Sequence, residues 1–245
     1  MCTLILGLGL LGPGSLLLGA NRDESPRRPS TEPAVLLEAP RVVGGRDLVS
    51  GGTWLAIREA RFATALMNRR PVAGDAREPA TLRSRGLLCL EAAATGGLDG
   101  ALGLLERHPY APCTLVGVGV DGEAWAVEAG AGEPRVQAIS LGWHVIAHRD
   151  LDDPGEPRTK WILGDIRPKR PGSPEEAFEL MAGYLRSHGE ADNPPACLHR
   201  EVFPTVSSSL VALGPGRGGA RYLHAPGPPC VTEYRDHTPL LTKGG

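Results

Sequence analysis

Cys2-Thr3-Leu4-Ile5-Leu6-Gly7-Leu8-Gly9-Leu10-Leu11, Gly12-Pro13-Gly14 and Ser15-Leu16-Leu17-Leu18-Gly19-Ala20 follow one another at the start of the chain. Glycine and proline at the centre supply a tight turn, so the flanking apolar runs read as the two arms of a β-hairpin. Leu and Ile recur there without polar alternation, which predicts strands buried on both faces. Two competing readings are disfavoured. A secretory signal needs a basic n-region, yet no Lys or Arg precedes Arg22, and Gly and Pro interrupt the apolar run. Gly7-Leu8-Gly9-Leu10-Leu11-Gly12 matches the GxGxxG dinucleotide fingerprint, but the helix it should open meets Pro13 and Gly14 at once.

The hairpin's chemical interest lies at its open end. Cys2 is small enough for Met1 to be removed, which would leave an N-terminal thiol beside a free α-amine. Their ordinary pKa values, about 8.5 and about 7.7–8.0, nearly balance proton exchange near neutral pH. Such a residue carries its own base for nucleophilic catalysis. Asn21-Arg22-Asp23-Glu24 follows the returning arm, and hairpin geometry brings it back beside Cys2. Asp23 can there accept hydrogen bonds from the α-ammonium, and the Arg22 charge should lower the thiol pKa.

Outward from the hairpin, residues 26–33 are crowded with Pro and Arg and read as loop. Strands are expected at residues 53–57 and 61–66, and a helix pair over 81–107 divided by Gly96-Gly97. A hairpin turns at Asp121-Gly122, one strand spans 136–146, and strands return between 207 and 232. Ser173-Pro174-Glu175-Glu176 is a capping box with Pro in the first helical turn, starting a helix over 177–185. Strands, helices, strands, one helix, strands: this order predicts a single α+β domain over residues 1–245 with mostly antiparallel sheets.

Composition excludes several classes of function. The 245 residues carry a net charge of −2, which gives no field for nucleic acid or an anionic membrane. With 41% apolar residues and no unbroken span-length apolar run, the chain reads as a soluble globule without a membrane span. Five unpatterned Cys suggest a reducing, cytoplasmic setting rather than a disulfide framework. The seven His are dispersed and no CxxC or HExxH occurs, so no structural metal site is expected.

Met1-Cys2, Asn21-Arg22-Asp23-Glu24 with Arg28-Pro29, and Gly51-Gly52-Thr53-Trp54-Leu55 together resemble the NRDE family, that of transport and Golgi organisation protein 2. The resemblance continues more weakly through Ala65-Leu66-Met67-Asn68 and Ser84-Arg85-Gly86. It implies the N-terminal-nucleophile hydrolase fold, a four-layer αββα sandwich, and a distant relation to cysteine amidases acting on bile salts and penicillin V. On that resemblance Cys2 is the nucleophile, and Asp23, with Gly19 and Asn21, completes the amidase Gly-x-Asn-x-Asp pattern. The backbone N–H of Asn68 would serve the oxyanion hole, and His148 falls where the amidases place an Asn donor. The late-strand amidase Arg has no counterpart near Thr205-Val206-Ser207, leaving Arg149, Arg158 and Arg200 as candidates. Glu24, Arg28, Thr53 and Trp54 join Asn21 as substrate-binding candidates, though Trp54 reads first as a core aromatic and the Gly51-Gly52 pair first as a tight turn. The implied substrate is a small acyl or amide compound, with no cofactor required. The resembled family's association with haem movement and acyl-lipid balance implies a second, non-catalytic binding role, with Cys2 and His148 as candidate haem ligands.

Overall fold

The computed structural model describes residues 2–70, 81–190, 193–215 and 219–242. In chain order the first elements are β1 (Thr3–Leu8), β2 (Leu16–Asp23), β3 (Ser30–Glu38), β4 (Arg41–Asp47), β5 (Leu55–Arg58) and β6 (Phe62–Asn68). Then come α1 (Arg85–Thr95), α2 (Leu98–Arg107), β7 (Cys113–Gly119), β8 (Ala124–Ala129), β9 (Arg135–Ala138) and β10 (Gly142–Ile146). The last are α3 (Pro157–Ile166), α4 (Pro174–Arg186), β11 (Thr205–Leu213), β12 (Arg221–Ala225) and β13 (Arg235–Asp236). The class is α+β, and the chain divides into two compact units, residues 1–27 with 140–239 and residues 28–139 with 240–245.

The first unit is a six-stranded antiparallel sheet in the order β10-β1-β2-β11-β12-β13. The hairpin reading holds: Leu8 pairs with Leu16, and the Ser15 hydroxyl accepts from the Leu11 N–H while donating to the Gly12 carbonyl. Gly9 and Gly12, both at positive φ, belong to this turn and open no helix. Every residue of β1 is buried, as unalternating Leu and Ile require. Ile5, Leu17, Val145 and Leu210 of the sheet pack with Ile162 and Ile166 of α3 and Phe178, Met181 and Leu185 of α4. Each such side chain contributes about 1.5–3 kcal/mol on burial. The helix approaches closely because Gly19 has no side chain: a Cβ there would lie 3.1 Å from the Met181 Cβ.

The second unit is a seven-stranded antiparallel meander, β3 through β9 in sequence order. Helices α1 and α2 supply Leu88, Cys89, Ala92, Ala101 and Leu104 to its core beside Leu115, Trp125 and Val127. Gly52 lets the β4–β5 loop touch the start of α1, since a Cβ there would meet the Gly86 carbonyl carbon at 2.1 Å. The Thr53 N–H donates to the Gly86 carbonyl at 3.0 Å in the same contact.

Several expectations need correction. Strand β3 starts at Ser30, inside the stretch read as loop; Pro33 is tolerated because β3 is a sheet edge and its register shifts between Ser30 and Pro33. Strand β4 was hidden by Gly44-Gly45, which resembles a turn. Residues 136–146 form two strands, not one: β9 pairs with β8, whereas β10 pairs with β1 in the other sheet, and Gly142 at φ 118° stands at the break. Two helices, not one, lie between β10 and β11. Helix α3 escaped because its cap is Glu156 rather than a short polar residue, and buried Arg158 and Thr159 interrupt its apolar face. No helix among the described residues is long and apolar enough to cross a membrane.

Candidate active site

Antiparallel pairing sets Thr3 opposite Asn21, so Cys2 stands at the Arg22-Asp23 end of β2. The Asn-Arg-Asp segment is strand rather than turn, paired with β11, and Asn21, Arg22 and Asp23 are all buried. The Asn21 amide donates to the Leu185 carbonyl at 2.8 Å and to the Ala196 carbonyl at 3.0 Å. It therefore ties the end of α4 to the sheet, and its donors are used by the main chain rather than held out to a ligand.

Asp23 is 3% exposed and accepts a 2.7 Å hydrogen bond from the Thr205 hydroxyl. Burial raises its pKa to about 6, against the pull of Thr205 and of the Arg158 and Arg200 charges. Cys2 is partly exposed. Its thiol is nevertheless pushed above the ordinary value, first by loss of solvation and then by the Asp23 charge. A hydrogen bond with the Asp23 backbone and the Arg22 charge act in the opposite direction and are outweighed. The Arg22 effect expected from sequence is present, but it does not set the sign.

Arg158 is a second basic residue of this cluster, beside Arg22. It sits in the first turn of α3, 4% exposed, and its Nη1 donates to the Thr3 hydroxyl at 2.8 Å. Burial lowers its pKa, while the Asp23 and Glu156 charges hold it up. Arg149 instead makes an outlying pair with Asp153 at 3.7 Å, with most of its side chain exposed. Arg200 is exposed and acts on Asp23 through its charge. His148 lies between β10 and α3 with Nε2 3.5 Å from Glu156 Oε1. The other Glu156 oxygen caps α3 by accepting from the Thr159 N–H at 2.7 Å. Glu24 accepts from the Ser25 N–H at 2.9 Å and donates its own N–H to the Pro204 carbonyl.

The remaining candidates stand in the second unit. Asn68 is exposed at the end of β6, opposite Cys113. Thr53 is 1% exposed and its hydroxyl donates to the Leu55 carbonyl at 2.9 Å, which fixes the loop before β5. Trp54 is partly buried and lies against Gly45, where a Cβ would come within 2.4 Å of its ring. Arg28 pairs with Asp47 at 2.6 Å and donates to the Ser50 hydroxyl, bracing the β4–β5 loop.

Thus Cys2, Arg22 and Asp23 come together in the first unit with Arg158 and Thr205, while Asn21 and Thr53 bond main-chain carbonyls and Arg28 bonds the Asp47 and Ser50 side chains. Glu156 was missed entirely, although Glu156-Pro157 does carry a helix-start signal, Pro in the first turn. A cavity of about 370 Å³ lies at the opposite, turn end of β1 and β2, among Leu11, Pro13, Leu213 and Pro215. Its Ser15 hydroxyl is already bonded to the turn, so the cavity lacks a reactive group.

A cysteine at the start of the first strand, a carboxylate at the end of the second, and helix-backed antiparallel sheets are features of the N-terminal-nucleophile hydrolase fold. Solved structures agree. The Caenorhabditis elegans ortholog of N-acylethanolamine-hydrolyzing acid amidase matches with a TM-score of 0.59 at 13% identity, covering 85% of this chain and 92% of that one. Penicillin V acylase from Agrobacterium tumefaciens matches at 0.52 and 13% identity, covering 99% and 88%. The C2A mutant of conjugated bile acid hydrolase from Clostridium perfringens matches at 0.51 and 12% identity, covering 100% and 95%. At such identities the likeness is one of fold. Comparison with curated proteins gives no match. The family model described as Transport and Golgi organisation 2 matches residues 1–151, and the chain belongs to that family.

Proposed function

We propose that this chain is a cysteine hydrolase or acyltransferase acting on a small amide or thioester, with Cys2 as nucleophile once Met1 has been removed. The single observation that supports this most is the gathering of Cys2, Asp23 and buried Arg158 at one end of β1 and β2. In this reading the freed α-amine takes the thiol proton as sulfur attacks the carbonyl carbon, and a C–S bond forms. The tetrahedral oxyanion collapses and the leaving amine or thiol takes that proton from the α-ammonium. Water or another acceptor then releases the acyl group. Asp23 holds the α-ammonium, Arg158 keeps Asp23 charged, and His148 is a candidate oxyanion donor.

Intact-mass analysis and labelling with acyl electrophiles test the proposal. Chains lacking Met1 should label at Cys2, and Cys2→Ala should abolish both label and turnover. Full acyl transfer by Cys2→Ala would reject it.

A further inference from the structure

Although the histidines are dispersed along the sequence, folding brings two of them together with two cysteines. His188, Cys197, His199 and Cys230 each present a ligand atom, and the four atoms lie within 4.8 Å of one another. The two sulfurs are 3.5 Å apart, His199 Nε2 is 3.2 Å from the Cys230 sulfur, and it is 3.9 Å from the Cys197 sulfur. The His188 and His199 rings stand at 87° with centroids 4.9 Å apart, so they converge edge to face without stacking. Zn–S bonds of about 2.3 Å and Zn–N bonds of about 2.0 Å make tetrahedral edges of roughly 3.8 Å (S–S), 3.5 Å (S–N) and 3.3 Å (N–N). The face formed by Cys197, Cys230 and His199 is already close to that tetrahedron, and the His188 donor lies within 4.8 Å of each of the three. The sulfur pair is far from a disulfide, whose sulfurs sit at about 2.05 Å.

We propose that these four residues form a structural Cys₂His₂ zinc site, an assignment that does not depend on the acyl-transfer reading. Zn²⁺ binds two thiolates and two neutral imidazoles, the Cys197 and Cys230 thiols release two protons to solvent, and the site is left with no net charge. Four protein ligands close the coordination shell, which makes the metal a clamp rather than a Lewis acid. The donor set of two soft thiolates with two imidazoles selects zinc over calcium or magnesium. Exposed His188 and His199 and half-buried Cys230 leave the metal a way in.

The surrounding backbone is organised for such a clamp. The Ser187 carbonyl accepts from the Ala196 and Cys197 N–H groups at 3.0 and 2.9 Å, which folds the first ligand segment. Arg186 Nε donates to the Pro229 carbonyl at 3.1 Å, which fastens the Cys230 loop to the end of α4. The clamped segment leads directly to the candidate active site. The Ala196 carbonyl receives the Asn21 amide, and the Leu198 N–H donates to the Thr205 hydroxyl that binds Asp23. Zinc would therefore brace the carboxylate from behind.

Metal analysis of the full chain, purified without a polyhistidine tag, tests the assignment. About one zinc per chain is expected, with well under half in Cys197→Ser and Cys230→Ser. Replacement by Co²⁺ should give the intense visible bands of a tetrahedral thiolate site, absent from both variants. His188→Gln, at an exposed position, should fold normally and bind zinc at least about tenfold more weakly. A chelator should lower the melting temperature of the parent but not of Cys230→Ser. Little zinc even after incubation with the metal, unchanged metal content in the variants, or an intact mass showing a Cys197–Cys230 disulfide would overturn the proposal.

Discussion

Thr205 donates its hydroxyl proton to Asp23 across the β2–β11 pair, at 2.7 Å, and it does so through a break in the ladder. Thr205 pairs with Asp23 and Ser207 with Arg22, so Val206 is the extra residue of a bulge. Bulges of this kind re-aim a neighbouring side chain. Here the re-aimed hydroxyl meets a buried carboxylate and also accepts from the Leu198 N–H at 2.9 Å.

Thr205→Val removes both bonds and keeps the volume. At pH 8, with Asp23 ionised, it should cost about 1.5–3 kcal/mol, the usual worth of a hydrogen bond to a charged group. The loss should shrink at pH 5, and Thr205→Ser should restore most of it. Urea unfolding at the two pH values checks this.

Asp23 itself makes stability depend on pH. Its pKa is raised in the folded chain to about 6, so between that value and its unfolded value the folded state binds more protons than the unfolded one. Its favourable contribution is complete below about pH 4 and is lost as pH rises through about 6. The shift corresponds to roughly 3 kcal/mol at most. The stability difference between parent and Asp23→Asn should therefore move toward the variant by up to that amount from pH 4 to pH 8. A flat difference would show that Asp23 titrates normally.

Arg158 is a buried cation facing Asp23 and Glu156. Arg158→Met should destabilise the chain by about 3–5 kcal/mol, because two buried carboxylates lose their counter-charge. Combining it with Asp23→Asn should recover at least about 1 kcal/mol in a double-mutant cycle. Additive losses would mean that the two charges do not communicate.

The same carboxylate raises the Cys2 thiol pKa, so Asp23→Asn should speed alkylation of Cys2 by iodoacetamide at neutral pH. Arg22→Leu should slow it. Mass spectrometry resolves Cys2 from the other cysteines. In the acyl-transfer reading Asp23→Asn should depress turnover while it raises alkylation, a crossing that a merely structural role would not produce.

Local patterns were read correctly where one segment's own residues decide its structure. The Gly96-Gly97 break between α1 and α2 and the Asp121-Gly122 turn between β7 and β8 are of this kind. So is the Ser173 cap of α4, which accepts from the Glu176 N–H at 3.2 Å. Reading failed where partners in space decide. Helix α3 buries Arg158 because Asp23 and Thr3 await it from the sheet, which no window of sequence displays. Arg28 and Thr53 looked free for a ligand until Asp47 and the Leu55 carbonyl took them.

From the residue order alone came the opening hairpin, the α+β class, and the return of Asn21-Arg22-Asp23 to the neighbourhood of Cys2 along two strands joined by a short turn. Only the tertiary structure buried Arg158 against Thr3 within reach of the Asp23 charge, set the direction of the thiol and carboxyl shifts, and brought Cys230 to Cys197 and the two histidines. The reason is physical. Turns and periodicity act over a few residues, whereas desolvation and metal geometry depend on atoms that folding brings together from distant positions.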